Sequence, residues 1–147
     1  MNTVERLLAI EEIEQLKAKY WYALDYQNWD MWRDEVWTPD AELNVDAELK
    51  FTVSPRDALI ETVQEQFRDQ VSVHHGHTPI IDLTSDTTAT GIWVMEDRLY
   101  RGQKHVQGPG FVLGFGHYHE TYVKLDIGWR IRTSRLTRLR ASTQTTF

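Results

Sequence analysis

The strongest constraint on the fold is a change of pattern near residue 70. Before it, apolar residues recur at helical spacing. After it, residues 71–83, 87–100, 111–125 and 129–139 are rich in β-branched and aromatic side chains. These runs are broken by turn-like segments: Thr84-Ser85-Asp86, the glycine-bounded loop 102–110, and Asp126-Ile127-Gly128. A helical front followed by a long antiparallel meander implies an α+β domain. If the sheet curves strongly and the N-terminal helices close one side, the result is a cone with one open mouth. No repeat, low-complexity stretch or linker divides the chain, so residues 1–147 read as a single domain.

Within the front, residues 3–25 read as a helix with a stripe of Leu7, Ile10, Ile13, Leu16 or Lys17, Tyr20 and Leu24. Arg6 stands three after Thr3, where a capping box would want an acid, so Asn2 or Thr3 is expected to cap alone. Asn28 caps a second short helix running to about Val36, which Thr38-Pro39-Asp40 stops. Short strands are expected at 41–45 and 50–53, joined tightly around Asp46. Ser54-Pro55-Arg56-Asp57 opens a third helix with proline in its first turn and an apolar stripe of Leu59, Ile60, Val63 and Phe67. Trp21, Trp29, Trp32 and Trp37 read mainly as core, and the tail 141–147 as mobile or used between subunits.

The net charge of −6 disfavours a nucleic-acid partner, which wants a basic face. There is no cysteine, hence no disulfide framework and no thiolate zinc site. The first residues carry acids throughout and lack an apolar signal core, and no apolar run approaches the ~20 residues of a membrane helix. The expectation is a soluble cytoplasmic protein with no membrane partner. An open curved sheet with apolar residues also suggests a homo-oligomer, dimer or trimer.

The chemistry concentrates in SVHHGHTP, residues 72–79. Imidazole titrates near neutrality, so His74 is either an acid–base catalyst or an ordinary hydrogen-bonded strand histidine. Strand alternation turns His75 away from His74, and His77 is out of phase, so both read as structural or rim residues. Asp25 is the natural orienter of His74, or else it accepts from nearby backbone N–H groups. Tyr20 lies on the apolar stripe, five residues and roughly 140° from Asp25 around a helix. Asp97 shares parity with Gly91, Trp93 and Met95; it either faces the cup as an acid or pairs with Arg138. Arg130, Arg132, Arg135, Arg138 and Arg140 read as a solvated sheet face from which one member binds an anionic substrate end. His117 and His119 share parity, but Glu120 faces the other way, so no metal site is expected. Gly108-Pro109-Gly110 lacks the features of a phosphate loop and reads as a connection or lid.

Several motifs together carry a resemblance. They are Lys19-Tyr20…Leu24-Asp25 with Trp29-Asp30, Thr38-Pro39-Asp40, His74-x-Gly76-His77-Thr78-Pro79, Thr87-Thr88-Ala89-Thr90-Gly91-x-Trp93, Glu96-Asp97-Arg98-Leu99, and Tyr122-x-Lys124-x-Asp126 with Gly128-Trp129. On these the chain resembles the SnoaL-like branch of the nuclear-transport-factor-2-like superfamily, most closely the bile acid 7α-dehydratases. The resemblance implies a cone-shaped α+β barrel and cofactor-independent, metal-free elimination of water from a hydrophobic, polycyclic or steroid-like hydroxy-carbonyl compound. It places Tyr20, Asp25, His74 and Asp97 as catalytic residues and Arg138 at the substrate. Asn44 stands where the dehydratases have a second pocket tyrosine, and Trp93 and Met95 complete the expected substrate contacts. His117 and His119 have no counterpart in the pattern. An isomerase, a polyketide-type cyclase and a non-catalytic binding or assembly module are the alternatives.

Overall fold

A computed structural model describes residues 1–46 and 50–144. Helix α1 (Thr3–Asp25) leads into a single turn, α2 (Trp29–Met31), and a π-helical turn (Trp32–Val36). Then come β1 (Trp37–Asp46), β2 (Phe51–Val53) and helix α3 (Arg56–Gln66). Five strands complete the chain: β3 (Gln70–Gly76), β4 (Ile80–Leu83), β5 (Thr88–Arg101), β6 (Gly110–Leu125) and β7 (Gly128–Gln144). Seven strands form one curved, unclosed sheet in the order β2-β1-β7-β6-β5-β3, with β4 added on β5. The α+β class and the helices at the front agree with the pattern of the sequence.

The details differ from expectation in ways that have local causes. The start of α1 is a capping box after all, one residue earlier than the Thr3 register. The Asn2 side chain accepts from the Glu5 N–H at 3.0 Å, and Glu5 accepts from the Asn2 N–H at 2.7 Å. Leu7 is exposed, and the buried face of α1 is Ala9, Ile13, Leu16, Lys17, Tyr20, Ala23 and Leu24. The run 71–83 divides into β3 and β4, both paired to β5. The sheet is not wholly antiparallel, because β1 runs parallel to β7. Thr38-Pro39-Asp40 lies inside β1 rather than before it. The β1–β7 register shifts between Trp37 and Glu42, and a proline without an N–H is tolerated at such an irregularity. Pro55 occupies the N-cap position of α3. Residues 141–144, part of the tail expected to be mobile or used between subunits, continue β7. The connection after Asp46 and the last three residues lie outside the described residues.

Two bulges re-phase β7. Between Ile131 and Thr133 the pairing with β6 shifts, so Arg132 has no direct partner; a second shift follows at Leu139. Trp129 and Ile131 are buried before the first bulge, and Ser134 and Leu136 after it. Strict alternation from Ile131 would have turned Arg138 outward. One extra residue reverses that and carries Arg138 onto the inner face.

The core lies between α1 and the inner face of the sheet. Tyr20 sits at its centre, edge-on to Trp32, Trp37 and Tyr118 with ring centroids 5.4–5.7 Å away. Such edge-to-face pairs are each worth about 0.5–1.5 kcal/mol beyond area burial. No helix among the described residues is long and apolar enough to cross a membrane.

Candidate active site

A cavity of about 460 Å³ opens between α1, α3 and the inner face of the sheet. Its apolar lining includes Leu43, Val63, Phe67, Leu99, Val112 and Leu136. Tyr20 from α1, His74 from β3, Asp97 from β5, Tyr118 from β6 and Arg138 from β7 bring polar groups to it. A volume of this order suits a small organic molecule.

His74 is held from behind by Asp25. Strand β3 ends the sheet, so the outer N–H groups of its backbone have no strand to meet. The last residue of α1 meets them instead. Asp25 Oδ2 accepts from the His74 backbone N–H at 2.9 Å, Oδ1 from the Ser72 hydroxyl at 2.8 Å, and Oδ1 also lies 2.6 Å from His74 Nδ1. A carboxylate cannot donate, so the short contact assigns the imidazole proton to Nδ1. Nε2 is left toward the cavity wall, 3.9 Å from Asp97 Oδ2. The ring stacks on Phe67 with an interplanar angle of 12°. His74 is 9% exposed, and this geometry positions an imidazole lone pair beside an apolar hollow.

Burial alone would raise the Asp25 carboxyl, yet its hydrogen bonds and charge interaction with His74, with help from Ser72, hold it below its ordinary 3.8. A depressed folded-state value contributes stability above about pH 3.8, and that contribution is lost as pH falls through the folded value. The wild type is therefore expected to lose thermal stability on going from about pH 5 to about pH 3 more steeply than Asp25→Asn, which has no such proton to take up. Parallel melting curves check this; equal losses in the two proteins would contradict it.

Asp97 faces the cavity, as its parity implies, but both its oxygens are engaged. Arg138 Nη1 and Nη2 donate to Oδ1 and Oδ2, each at 2.8 Å, and Nη1 also approaches Met95 Sδ at 3.6 Å. This two-pronged pair depends on Gly114. A Cβ there would stand 2.2 Å from Arg138 Nη1 and 2.5 Å from Asp97 Oδ1. Gly114→Ala is expected to displace the pair and lower stability by about 1–3 kcal/mol, read by denaturant unfolding. A neutral effect would mean that the pair relaxes without cost.

Three expected substrate contacts are elsewhere. Trp93 and Met95 share the inward parity of Asp97 and are buried at 4% and 1%, but they fill the solid part of the interior. Trp93 packs edge-on to Trp21 at 5.5 Å and donates from Nε1 to the Tyr122 hydroxyl. Neither residue lines the cavity, because the hollow begins only at Asp97. Asn44 alternates away from its cavity-lining neighbours Leu43 and Val45, and its amide donates to Thr52 Oγ1 at 2.6 Å. His75 Nδ1 lies 3.1 Å from Glu96 Oε1 on the outer face. His119 Nε2 meets Thr137 Oγ1, and no group of three His, Cys, Asp or Glu side chains able to hold a metal occurs among the described residues.

Several functional residues were not foreseen. Tyr118 faces Tyr20 across the cavity floor, and burial above all raises both phenols. Beneath them lies Lys17, fully buried, with Nζ 3.8 Å from the centroid of each phenol ring. Its partner is Glu120 Oε1 at 2.6 Å, an oxygen that also accepts from Ser134; Glu120 Oε2 accepts from Tyr122. Burial outweighs Glu120 and brings the Lys17 ammonium down to about 8. The ambiguity between Leu16 and Lys17 on the α1 stripe was the available signal, since both turn inward. The loop before β6, with its Gly108-Pro109-Gly110 segment expected as a connection or lid, forms part of the wall through His105 and Gln107.

Fold and cavity together define an α+β protein with an imidazole–carboxylate pair at an apolar hollow. The SnoaL-like domain matches residues 5–135, and the chain belongs to that family. Among individual proteins, Probable cyclase FGR4 of Gibberella zeae is 23% identical over 136 residues, covering 86% of this chain and 89% of its own. A provisionally named scytalone dehydratase of Novosphingobium aromaticivorans has a similar fold, with TM-score 0.83, 22% identity and coverage of 99% of this chain and 93% of its own. The hexachlorocyclohexane dehydrochlorinase LinA-type3 of Novosphingobium barchaimii superimposes with TM-score 0.80 at 17% identity, covering 98% and 95%. At these identities the solved structures establish the fold.

Proposed function

We propose that this chain is a lyase that removes water from a hydrophobic β-hydroxy carbonyl compound. The observation that carries the reading is the 2.6 Å contact between His74 Nδ1 and Asp25, with the ring on the wall of an apolar cavity. His74 Nε2 takes the proton from the carbon beside the carbonyl, and the electron pair passes into an enolate. Tyr118, packed edge-on against Tyr20, holds the carbonyl oxygen; raised phenols keep their protons and donate. A donor aimed at the developing oxyanion is worth about 3–4 kcal/mol. The enolate then expels the neighbouring hydroxyl, which leaves as water with the proton returned by the imidazolium, and a conjugated carbonyl remains. Asp25 balances the imidazolium charge and fixes the tautomer. Asp97, expected as the assisting acid, instead holds Arg138 at the cavity wall. The motif resemblance to bile acid 7α-dehydratases and the names of the dehydratase and dehydrochlorinase neighbours support elimination.

A cyclase is the second reading, favoured by the name of the Gibberella zeae relative. The same base and oxygen donor would then serve ring closure. The test is a screen of hydroxy-ketones of graded size, steroid-like ones included, followed by ultraviolet absorbance and mass spectrometry with His74→Ala alongside. Loss of one water with new conjugation supports the lyase. A product of unchanged mass supports the cyclase, and turnover independent of His74 overturns both.

A further inference from the structure

The cavity has a second polar station, at the far end of its β5 wall. Asp97, Leu99 and Arg101 all line the hollow from this strand. His74 pairs with Asp97 in register, and Gln70 with Arg101. Four residues at about 3.3 Å each separate Arg101 from the level of His74 by roughly 13 Å.

Arg101 is 9% exposed. Its Nη1 donates to Gln107 Oε1, a neutral acceptor, and its Nε is buried with no hydrogen-bond partner. No carboxylate among the described residues forms an ion pair with it. Six other arginines differ. Arg33, Arg56, Arg68, Arg98, Arg132 and Arg135 are all more exposed, yet each has an acidic partner. A buried cation without a counter-charge is costly, and water cannot screen it well. The surroundings hold it in place. His105 Nε2 contacts the Gln66 carbonyl at 2.8 Å and Nδ1 accepts from the Gln107 N–H at 3.1 Å, which pins the loop that carries Gln107. Gly110 leaves room for the guanidinium, since a Cβ there would stand 2.8 Å from Nη2. The other polar side chains at this end (Gln66, Gln70 and Thr143) are neutral.

We propose that Arg101 is the docking point for a carboxylate at one end of an otherwise apolar substrate. The planar guanidinium fork matches two carboxylate oxygens. The apolar body then crosses Leu99 and Val112 toward His74. The proposal rests on the lyase reading for what happens at the His74 end, and on Arg101 alone for what binds at its own.

The test uses 1-pyrenebutyrate and its neutral counterpart 1-pyrenebutanol, titrated by fluorescence into the whole chain. The wild type is expected to bind the acid about tenfold or more tightly than the alcohol, the scale of a charge-assisted hydrogen bond. Arg101→Gln should abolish the preference by weakening the acid and leave the alcohol within about twofold. Arg101→Lys should keep part of it, and His74→Ala all of it. The wild-type comparison needs no variant, so it stands even where a variant fails to fold. Equal binding of acid and alcohol, no binding of the acid, or full acid affinity in folded Arg101→Gln each overturns the proposal. An Arg101-dependent preference without turnover of any hydroxy-ketone would leave the docking site standing and remove the lyase. His74-dependent dehydration with acids gaining nothing over neutral substrates would do the reverse.

Discussion

His74→Ala is expected to lower kcat on a dehydrated hydroxy-ketone by about 10²–10⁴-fold, the usual worth of a positioned acid–base group. The loss should appear in kcat more than in KM, because the imidazole acts on the reacting proton and contributes little to the apolar fit. The variant should still fold. Asp25 keeps two of its three contacts without the ring, the backbone N–H at residue 74 and the Ser72 hydroxyl. Asp25→Asn should cost a comparable factor by a different route. Its amide can donate to Nδ1, which moves the imidazole proton to Nε2 and removes the base from the cavity side. Steady-state kinetics with circular dichroism on both variants checks the pair. A His74→Ala protein that is folded and as active as the parent ends the assignment.

The largest effect on stability is expected from Lys17→Ala. The substitution strands the Glu120 carboxylate in the interior with only the Ser134 and Tyr122 hydroxyls for partners. Breaking a buried pair from one side typically costs about 3–5 kcal/mol. In a chain of this size that corresponds to a fall in Tm of roughly 6–20 °C. The cation also lies between the rings of Tyr20 and Tyr118, so their contact with it is lost as well. Replacing both charges together, Lys17→Met with Glu120→Gln, should restore much of the loss, because no uncompensated ion remains. Differential scanning calorimetry on Lys17→Met, Glu120→Gln and the double closes the cycle. If Lys17→Ala melts with the parent, the pair is not holding the floor of the cavity.

The residues that were legible in the sequence are those whose meaning is local. Asn28, the stripe on α3 and the turn residues at Thr84-Ser85-Asp86 announce their elements because capping and periodicity act over a few positions. His74 and Asp25 stand out by type, and the inward parity of Asp97 follows from alternation along an unbroken strand. Trp93 and Met95 follow the same parity and do not touch the cavity. Alternation tells which face a side chain occupies, and it carries no information on whether that face meets a hollow or another side chain. Asn44 is misread through a resemblance at one position, while its neighbours on β1 reach the cavity. Lys17 is the converse case, since a charge on an apolar stripe is ordinarily placed at the rim of a helix and not at its centre.

The chain's own sequence determined its class, the order of helices and strands, and the candidate imidazole, because those depend on spacing and residue chemistry within short windows. Tertiary structure decided the rest. An unpaired edge of β3 brought Asp25 to His74 across 49 residues. One surplus residue at Arg132 turned Arg138 inward to Asp97, and burial left Arg101 without an acid. Each of these depends on where the sheet ends, slips or opens, and such events arise from contacts between segments far apart along the chain.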